Sequence, residues 1–354
     1  MPAENISLSL LSIISLISFF VFLLISKYSN KIGNGILIDQ DFNKPQAFHS
    51  LSIPRSGGLA ASLSFLVFFI FYYLLFNEVN FEYVILTFAM FSMGFIEDVK
   101  LNFKPIYRLI LMIIILLIFT IYFSINVTSI DLNFLNSWLK NDIFSIIFVL
   151  LCFLFIVNGS NLIDGFNGLL AIHILIINII LLLINLENNH ENLAIMIASQ
   201  IVILISFLLF NFPKAKIFLG DSGSYLFGSL VALNIVETNN LNPEISSFFF
   251  SILLFYLFFE VFFSFFRKLL LRKSPIKPDR HHLHMLSYLY LEHSQKFKDC
   301  NYLNSILINL VYLSLITPAL FFMNNGTICR YWFFSLISIY IVFYYLLYSF
   351  EKKQ

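Results

Sequence analysis

Charge is what this chain has least of. Only 12% of its 354 residues are Asp, Glu, Lys or Arg, about half the share in an ordinary soluble domain. Glycine and proline are also scarce, at 12 and 9 residues. The three cysteines, Cys152, Cys300 and Cys329, lie far apart and make neither a disulfide framework nor a metal-binding spacing. A net charge of +1 gives no electrostatic footprint for nucleic acid. What fills the chain instead is apolar: 59% of residues are hydrophobic, and Phe alone occurs 45 times. A soluble globule of this size would have to wear much of that Phe, Ile and Leu on its exterior. Disorder is excluded by high hydrophobicity and low charge. The remaining class is an all-α, polytopic integral membrane protein forming a single domain over residues 1–354.

Apolar runs fall near 8–26, 58–76, 83–96, 107–125, 143–157, 169–186, 192–211, 223–238, 246–266, 301–323 and 331–350. A hydrocarbon core of about 30 Å needs roughly 20 such residues as helix, so about eleven transmembrane helices are expected. The runs are continuous rather than alternating, which argues against a membrane β-barrel. The first run lacks a basic leader and a small-residue cleavage site, so it reads as a retained helix. If the runs alternate in direction, nineteen of the 21 basic residues fall in one set of loops, and only Lys140 and Arg330 in the other. The positive-inside rule puts the crowded set, including Arg55, Arg108, Lys44, Lys277 and the 267–298 loop, in the cytoplasm. The N-terminus is then outside and the C-terminus inside.

Unusual polar motifs gather in the same loops. Glu97-Asp98 ends the third run and suits metal binding or proton abstraction, although adjacent acids also simply begin loops. In NGSNLIDGFNG, Asn158, Asn161, Asp164 and Asn167 recur every third residue, which lines them along one side of a turn or short helix. Carboxylate and amide oxygens suit a hard cation and can also read the amide edge of a base. Asp221 stands between Gly220 and Ser222 at the start of the eighth run. It reads either as a helix cap or as a metal carboxylate beside phosphate-binding N–H groups. The late loop RKLLLRKSPIKPDRHHLHML holds six bases before His281, then His282 and His284. Its Arg and Lys side chains could grip a diphosphate. Two histidines two residues apart do not share a helix face, so no zinc pair is indicated. Glu260 lies inside an apolar run and needs a partner or a polar interior. A transporter would concentrate its polar groups near the midplane; here they cluster at one interface, which favours an enzyme with a cytoplasmic substrate.

Five segments in order, over about residues 39–286, resemble the polyprenyl-phosphate N-acetylhexosamine-1-phosphate transferases, a branch of glycosyltransferase family 4. PRSGGLA at 54–60 resembles that family's Pro-x-x-Gly-Gly segment, and GFIEDVK its Asp-Asp segment. NLIDGFNGLLA, FLGDSGSYLFG and SPIKPDRHHLH resemble its other three motifs. The resemblance implies transfer of a sugar-1-phosphate from a cytoplasmic UDP-N-acetylhexosamine to undecaprenyl phosphate, at the inner membrane of a bacterium. It implies Mg2+, with Mn2+ as an alternative, held by Asp221 and Asn161. It assigns catalysis to Glu97, Asp98 and Asp221, with Asp98 favoured over Glu97 for the lipid phosphate. Asp164 and Asn167 would hold the nucleotide, and Arg280, His282 and His284 the diphosphate or sugar. Relatives often dimerise, which leaves a homodimer open.

Two positions depart from the family pattern: Glu97 replaces the first Asp, and Asn167 stands where many bacterial members have Asp. Asn keeps both a donor and an acceptor but no charge. The PDR-HHLH loop and the eleven runs favour the amino-sugar starter branch over phospho-N-acetylmuramoyl-pentapeptide transferase. A transporter and an inactive membrane scaffold are the readings from other classes.

Overall fold

The computed structural model describes residues 3–29, 31, 35–39, 52–100, 104–274 and 279–353. Lys44, Lys277 and the 275–278 part of the late loop lie outside the described residues. Helix α1 (Ala3–Tyr28) precedes a two-residue antiparallel pair, β1 (Ile38–Asp39) with β2 (Ile53–Pro54), in which Ile38 faces Pro54. Helices α2 (Gly57–Phe76) and α3 (Phe81–Asp98) follow. Helix α4 (Pro105–Tyr122) opens on Pro105, where a missing N–H leaves no bond unmade. After the short α5 (Asn133–Leu139), α6 (Asp142–Ile163) starts at Asn141, whose side chain accepts from Phe144 N at 3.1 Å. Helices α7 (Leu169–Glu187), α8 (Glu191–Asn211) and α9 (Gly220–Leu241) come next. Helices α10 (Ser247–Leu253) and α11 (Phe255–Leu270) meet at a 73° bend. Helices α12 (Leu283–His293), α13 (Cys300–Phe321) and α14 (Gly326–Glu351) complete the described chain.

Among the described residues, eight helices (α1, α2, α4, α6, α7, α8, α13 and α14) are long and apolar enough to cross a membrane, and the bent α10–α11 pair raises the number of candidate spans to nine. The protein is therefore an all-helical, multi-pass membrane protein. Two expected runs correspond to more polar helices, α3 with Glu82, Glu97 and Asp98, and α9 with Asp221, Asn234 and Glu237. Helix α9 is buried along nearly its whole length, and α3 buries one face, with Phe81 and Ile85 turned outward. Polar side chains are tolerated there because protein rather than lipid surrounds them. Asn234 on α9 donates to Gln200 Oε1 at 2.8 Å and to Asn178 Oδ1 at 3.2 Å. It accepts from Tyr83 OH at 3.0 Å and Gln200 Nε2 at 3.2 Å. This network ties α3, α7 and α8 to the central helix, at about 0.6 kcal/mol per bond by membrane precedent. Outer helices turn large apolar side chains outward, such as Leu74 on α2 and Ile118 on α4.

Hydrogen bonds between loops sort them into two ends of the bundle. At one end Asn240 bonds Asn126 and Thr128, Ser247 bonds Asp131 N, and Ser246 N donates to Met323 O. At the other end Asp98 meets Ser222, Gly57 N donates to Phe218 O, and Asn167 bonds Asn301 and Pro213. All nine candidate site residues belong to elements that meet at this second end.

Candidate active site

Asp98 is the last residue of α3, and it is 1% exposed. Its Oδ1 accepts from Asp221 N at 3.0 Å, and its Oδ2 accepts from Ser222 N at 2.9 Å and Ser222 Oγ at 2.5 Å. The carboxylate thus satisfies the first free N–H groups of α9, at the positive end of that helix. Gly220 makes the approach feasible: its φ is +77°, and a Cβ there would come 2.6 Å from Asp98 Oδ2. One turn earlier on α3, a Cβ on Gly94 would lie 2.3 Å from Asp221 O, so only glycine lets the two helices close to this distance.

The segment before α2 is pinned to the same place. Phe218 N donates to Pro54 O at 2.9 Å, and Gly58 N to Leu219 O at 2.8 Å. This carries Arg55 to the site. Its Nε and Nη2 donate to Asp39 Oδ2 at 2.9 and 2.6 Å, and its Nη1 lies 3.9 Å from Asp221 Oδ1. Arg108, in the first turn of α4, places Nη1 3.8 Å from Asp221 Oδ2 and 3.7 Å from Glu97 Oε2. Asp221 therefore sits between two guanidinium groups, both beyond hydrogen-bond reach, with 21% of its side chain exposed. Asn161, near the end of α6, donates from Nδ2 to Ser224 Oγ at 3.2 Å, and Ser224 Oγ donates in turn to Asp221 O at 3.2 Å. Asp164 follows directly on α6. Burial first, then the neighbouring Asp221, pushes its carboxyl up to about 8, against the pull of Arg55.

The late histidines form a second cluster. His282 Nδ1 lies 3.0 Å from Glu260 Oε1, and His284 Nδ1 lies 3.2 Å from Tyr256 OH. The two rings stack with centroids 5.6 Å apart. Phe166, between Asp164 and Asn167, packs edge-on to His284 and against Tyr288, so the clusters share a loop. His281 points elsewhere, toward Asp279 Oδ1 at 2.6 Å and Glu351.

The structure thus gathers Glu97, Asp98, Asp221, Asn161 and Asp164 into one acidic centre, with His282 and His284 adjoining. Asn167 is turned from that centre. Its N–H donates to Asn301 Oδ1 at 2.8 Å, and its Nδ2 donates to Pro213 O at 2.9 Å. Arg280 is exposed to solvent. The sequence favoured Asp98 over Glu97 as the reacting acid. In the structure all three hydrogen bonds of Asp98 go to the start of α9, while Glu97 keeps 21% of its side chain exposed. Arg55 and Arg108 were read only as bases of cytoplasmic loops. The signal that could have found Arg55 is its place inside the PRSGG segment; Arg108 had none beyond lying ten residues after Asp98.

Acids and arginines thus meet at one end of the helical bundle of a multi-pass membrane protein. The sequence profile of glycosyl transferase family 4 matches residues 80–239. The chain is 32% identical over 294 residues to a phospho-N-acetylmuramoyl-pentapeptide-transferase of Dictyoglomus thermophilum, covering 78% of this chain and 90% of that protein. A Dictyoglomus turgidum protein of the same name is 30% identical over 239 residues, covering 63% and 73%. An undecaprenyl-phosphate alpha-N-acetylglucosaminyl 1-phosphate transferase of Thermotoga maritima is 28% identical over 270 residues, covering 76% and 78%. The chain belongs to glycosyl transferase family 4.

Proposed function

We propose that the protein transfers N-acetylglucosamine-1-phosphate, or a related N-acetylhexosamine-1-phosphate, from its UDP-sugar to undecaprenyl phosphate. The products are undecaprenyl-diphospho-sugar and UMP, the first membrane step of a cell-surface glycan such as O-antigen. The observation that carries this reading is Asp221 at the start of α9, flanked by Arg55 and Arg108 at the end of the bundle where the cytoplasmic bases gather. A phosphate oxygen of the lipid attacks the sugar-bearing phosphorus of the donor. That new P–O bond forms as the bond from the same phosphorus to the bridging oxygen breaks, and UMP carries the oxygen away. Two anions must approach, so the site needs positive charge. Arg108, beside Glu97 and Asp221, and Arg55 supply it from the protein. Glu97 is the accessible acid for the lipid phosphate, and Asp98 keeps Asp221 in register through the α9 amides. Asp164 and Asn167 serve the nucleotide, Asn167 after release from Pro213; His282, His284 and Arg280 serve the sugar and diphosphate.

Mg2+ fits the donor set. Among the described residues no three of His, Cys, Asp and Glu form a cage. Mg2+ at phosphoryl-transfer sites takes one or two carboxylates and fills its shell from phosphates and water. Asp221 with Asn161, whose Oδ1 is kept for a ligand by the bond from Nδ2 to Ser224, meets that need. Bound there, the ion would draw negative charge from the transferring phosphate.

Membranes holding the protein should release UMP from a UDP-N-acetylhexosamine when given undecaprenyl phosphate and Mg2+. Asp221→Ala should lower that release about 100- to 1,000-fold, on the scale of losing an essential electrostatic group, while insertion continues. Full activity in Asp221→Ala removes it from the metal role. Phospho-N-acetylmuramoyl-pentapeptide transfer is the second reading, favoured by the two Dictyoglomus proteins of comparable identity. The PDR-HHLH loop supports the amino-sugar donor. A donor panel with mass detection of the lipid product decides between them.

A further inference from the structure

Glu260 lies in the middle of α11, in a run of Phe and Leu, and is 1% exposed. A carboxylate in such a place must be paired, and this one is held on both oxygens. Tyr340 OH of α14 donates to Oε2 at 2.5 Å. On the other side Oε1 meets His282 Nδ1 at 3.0 Å, and Leu283 N lies 3.3 Å away. The Tyr340 ring is itself wedged edge-on against Phe259 and Phe263, with centroids 5.0 and 5.2 Å apart. The carboxylate therefore has little freedom to swing away.

We propose that Glu260 is a positioning residue for the transfer reaction, holding the His282 ring by Nδ1 so that Nε2 is the nitrogen presented to the diphosphate. The inference rests on the assignment of His282 made above. An imidazole has two nitrogens, and a partner on one fixes the role of the other. Glu260 does this for His282 by direction: its Oε1 takes the Nδ1 side of the ring and leaves Nε2 for the ligand. His284, stacked on His282, is held the same way by a neutral partner, Tyr256 OH, and its Nε2 is buried with no hydrogen-bond partner among the described residues. His281 shows the contrast, since its ring is committed to Asp279.

Glu260→Gln keeps shape and one acceptor but removes the charge. In the full-length protein, with undecaprenyl phosphate and the best donor of the panel, kcat should fall about 10- to 100-fold. KM for both substrates should stay within about threefold, the split expected of an interaction used in the transition state. His282→Ala should lower kcat by at least as much, and adding Glu260→Gln to it should change nothing further. Should Glu260→Gln not fold, Glu260→Asp keeps the charge but draws it back by one methylene, and a loss of at least tenfold in kcat is expected. Wild-type kcat in Glu260→Gln or Glu260→Asp overturns the proposal. So does a double variant whose losses multiply, because Glu260 would then act independently of His282. Wild-type kcat in His282→Ala is a separate failure, that of the site assignment itself.

Discussion

Asp164 carries the most informative single ionisation at the site. With its carboxyl pushed up to about 8 by burial and by Asp221, it is largely protonated at neutral pH in the ligand-free protein. The folded chain then binds this proton more tightly than the unfolded chain. From about pH 4 to pH 8 the folded state therefore loses stability as pH rises, because it alone must hold the poor carboxylate. Asp164→Asn should flatten that slope, seen as a smaller drop in thermal midpoint between pH 5 and 9. Activity should move the other way: if the nucleotide and cation need the carboxylate, kcat/KM rises toward pH 8, and Asp164→Asn loses both the rise and at least tenfold of the rate. An unchanged pH profile in Asp164→Asn would exclude the role. The sequence located this residue by its period-three spacing, but the spacing said less about its companions. Helix α6 ends at Ile163, so only Asn158 and Asn161 are helical. Asn158 spends its Nδ2 on Leu154 O, at 2.7 Å. Arg55 and Arg108 were illegible for a physical reason: a base at a membrane edge serves topology in any case, so composition cannot reveal a second duty.

Helix packing around the site depends on close approach, and glycine marks where. Gly94→Ala would set a methyl 2.3 Å from Asp221 O, a backbone atom that no side-chain rotation can relieve. Alanine's helix propensity is worth about 1 kcal/mol in its favour, while overpacking costs about 1–3 kcal/mol, and the immovable contact puts this case at the costly end. The expected result is a lower thermal midpoint with activity reduced more than tenfold, since Asp221 itself is displaced. Gly165→Ala is the matched control, because nothing lies within 4 Å of its added methyl; it should fold like the wild type. Equal thermal midpoints for the two variants would refute the packing argument. At this scale the apolar runs predicted most helices well. They missed the 73° break between α10 and α11, read as one span over 246–266. Neither Pro nor Gly marks it, and Leu253 and Leu254 look like any other apolar pair.

Among the described residues, the loop hydrogen bonds place the ends of successive long helices, α3 and α9 included, alternately at the two ends of the bundle. We infer eleven crossings, with α1 starting outside and α14 ending in the cytoplasm. Among the described residues, eight helices and the bent α10–α11 pair are apolar enough to span, which leaves two to account for: α9 is buried nearly throughout, and α3 packs one face on it through Gly94. A helix lined by protein can cross with Asn234 and Glu237 aboard, which a lipid-exposed one could not do cheaply. The test is sidedness. In a background with Cys152, Cys300 and Cys329 replaced, Asn189→Cys and Thr327→Cys should react with an impermeant thiol reagent added outside intact cells. Lys296→Cys and Lys353→Cys should react only after the membrane is opened. If α3 and α9 did not cross, the loops between them would change sides, and Asn189 would label with Lys296. The positive charge then decides the direction: an Arg- and Lys-crowded end resists transfer across the membrane. That end carries Asp221, Arg55 and Arg108, so under the proposed function a nucleotide sugar would enter from the cytoplasm and a lipid phosphate would reach the same point from the inner leaflet.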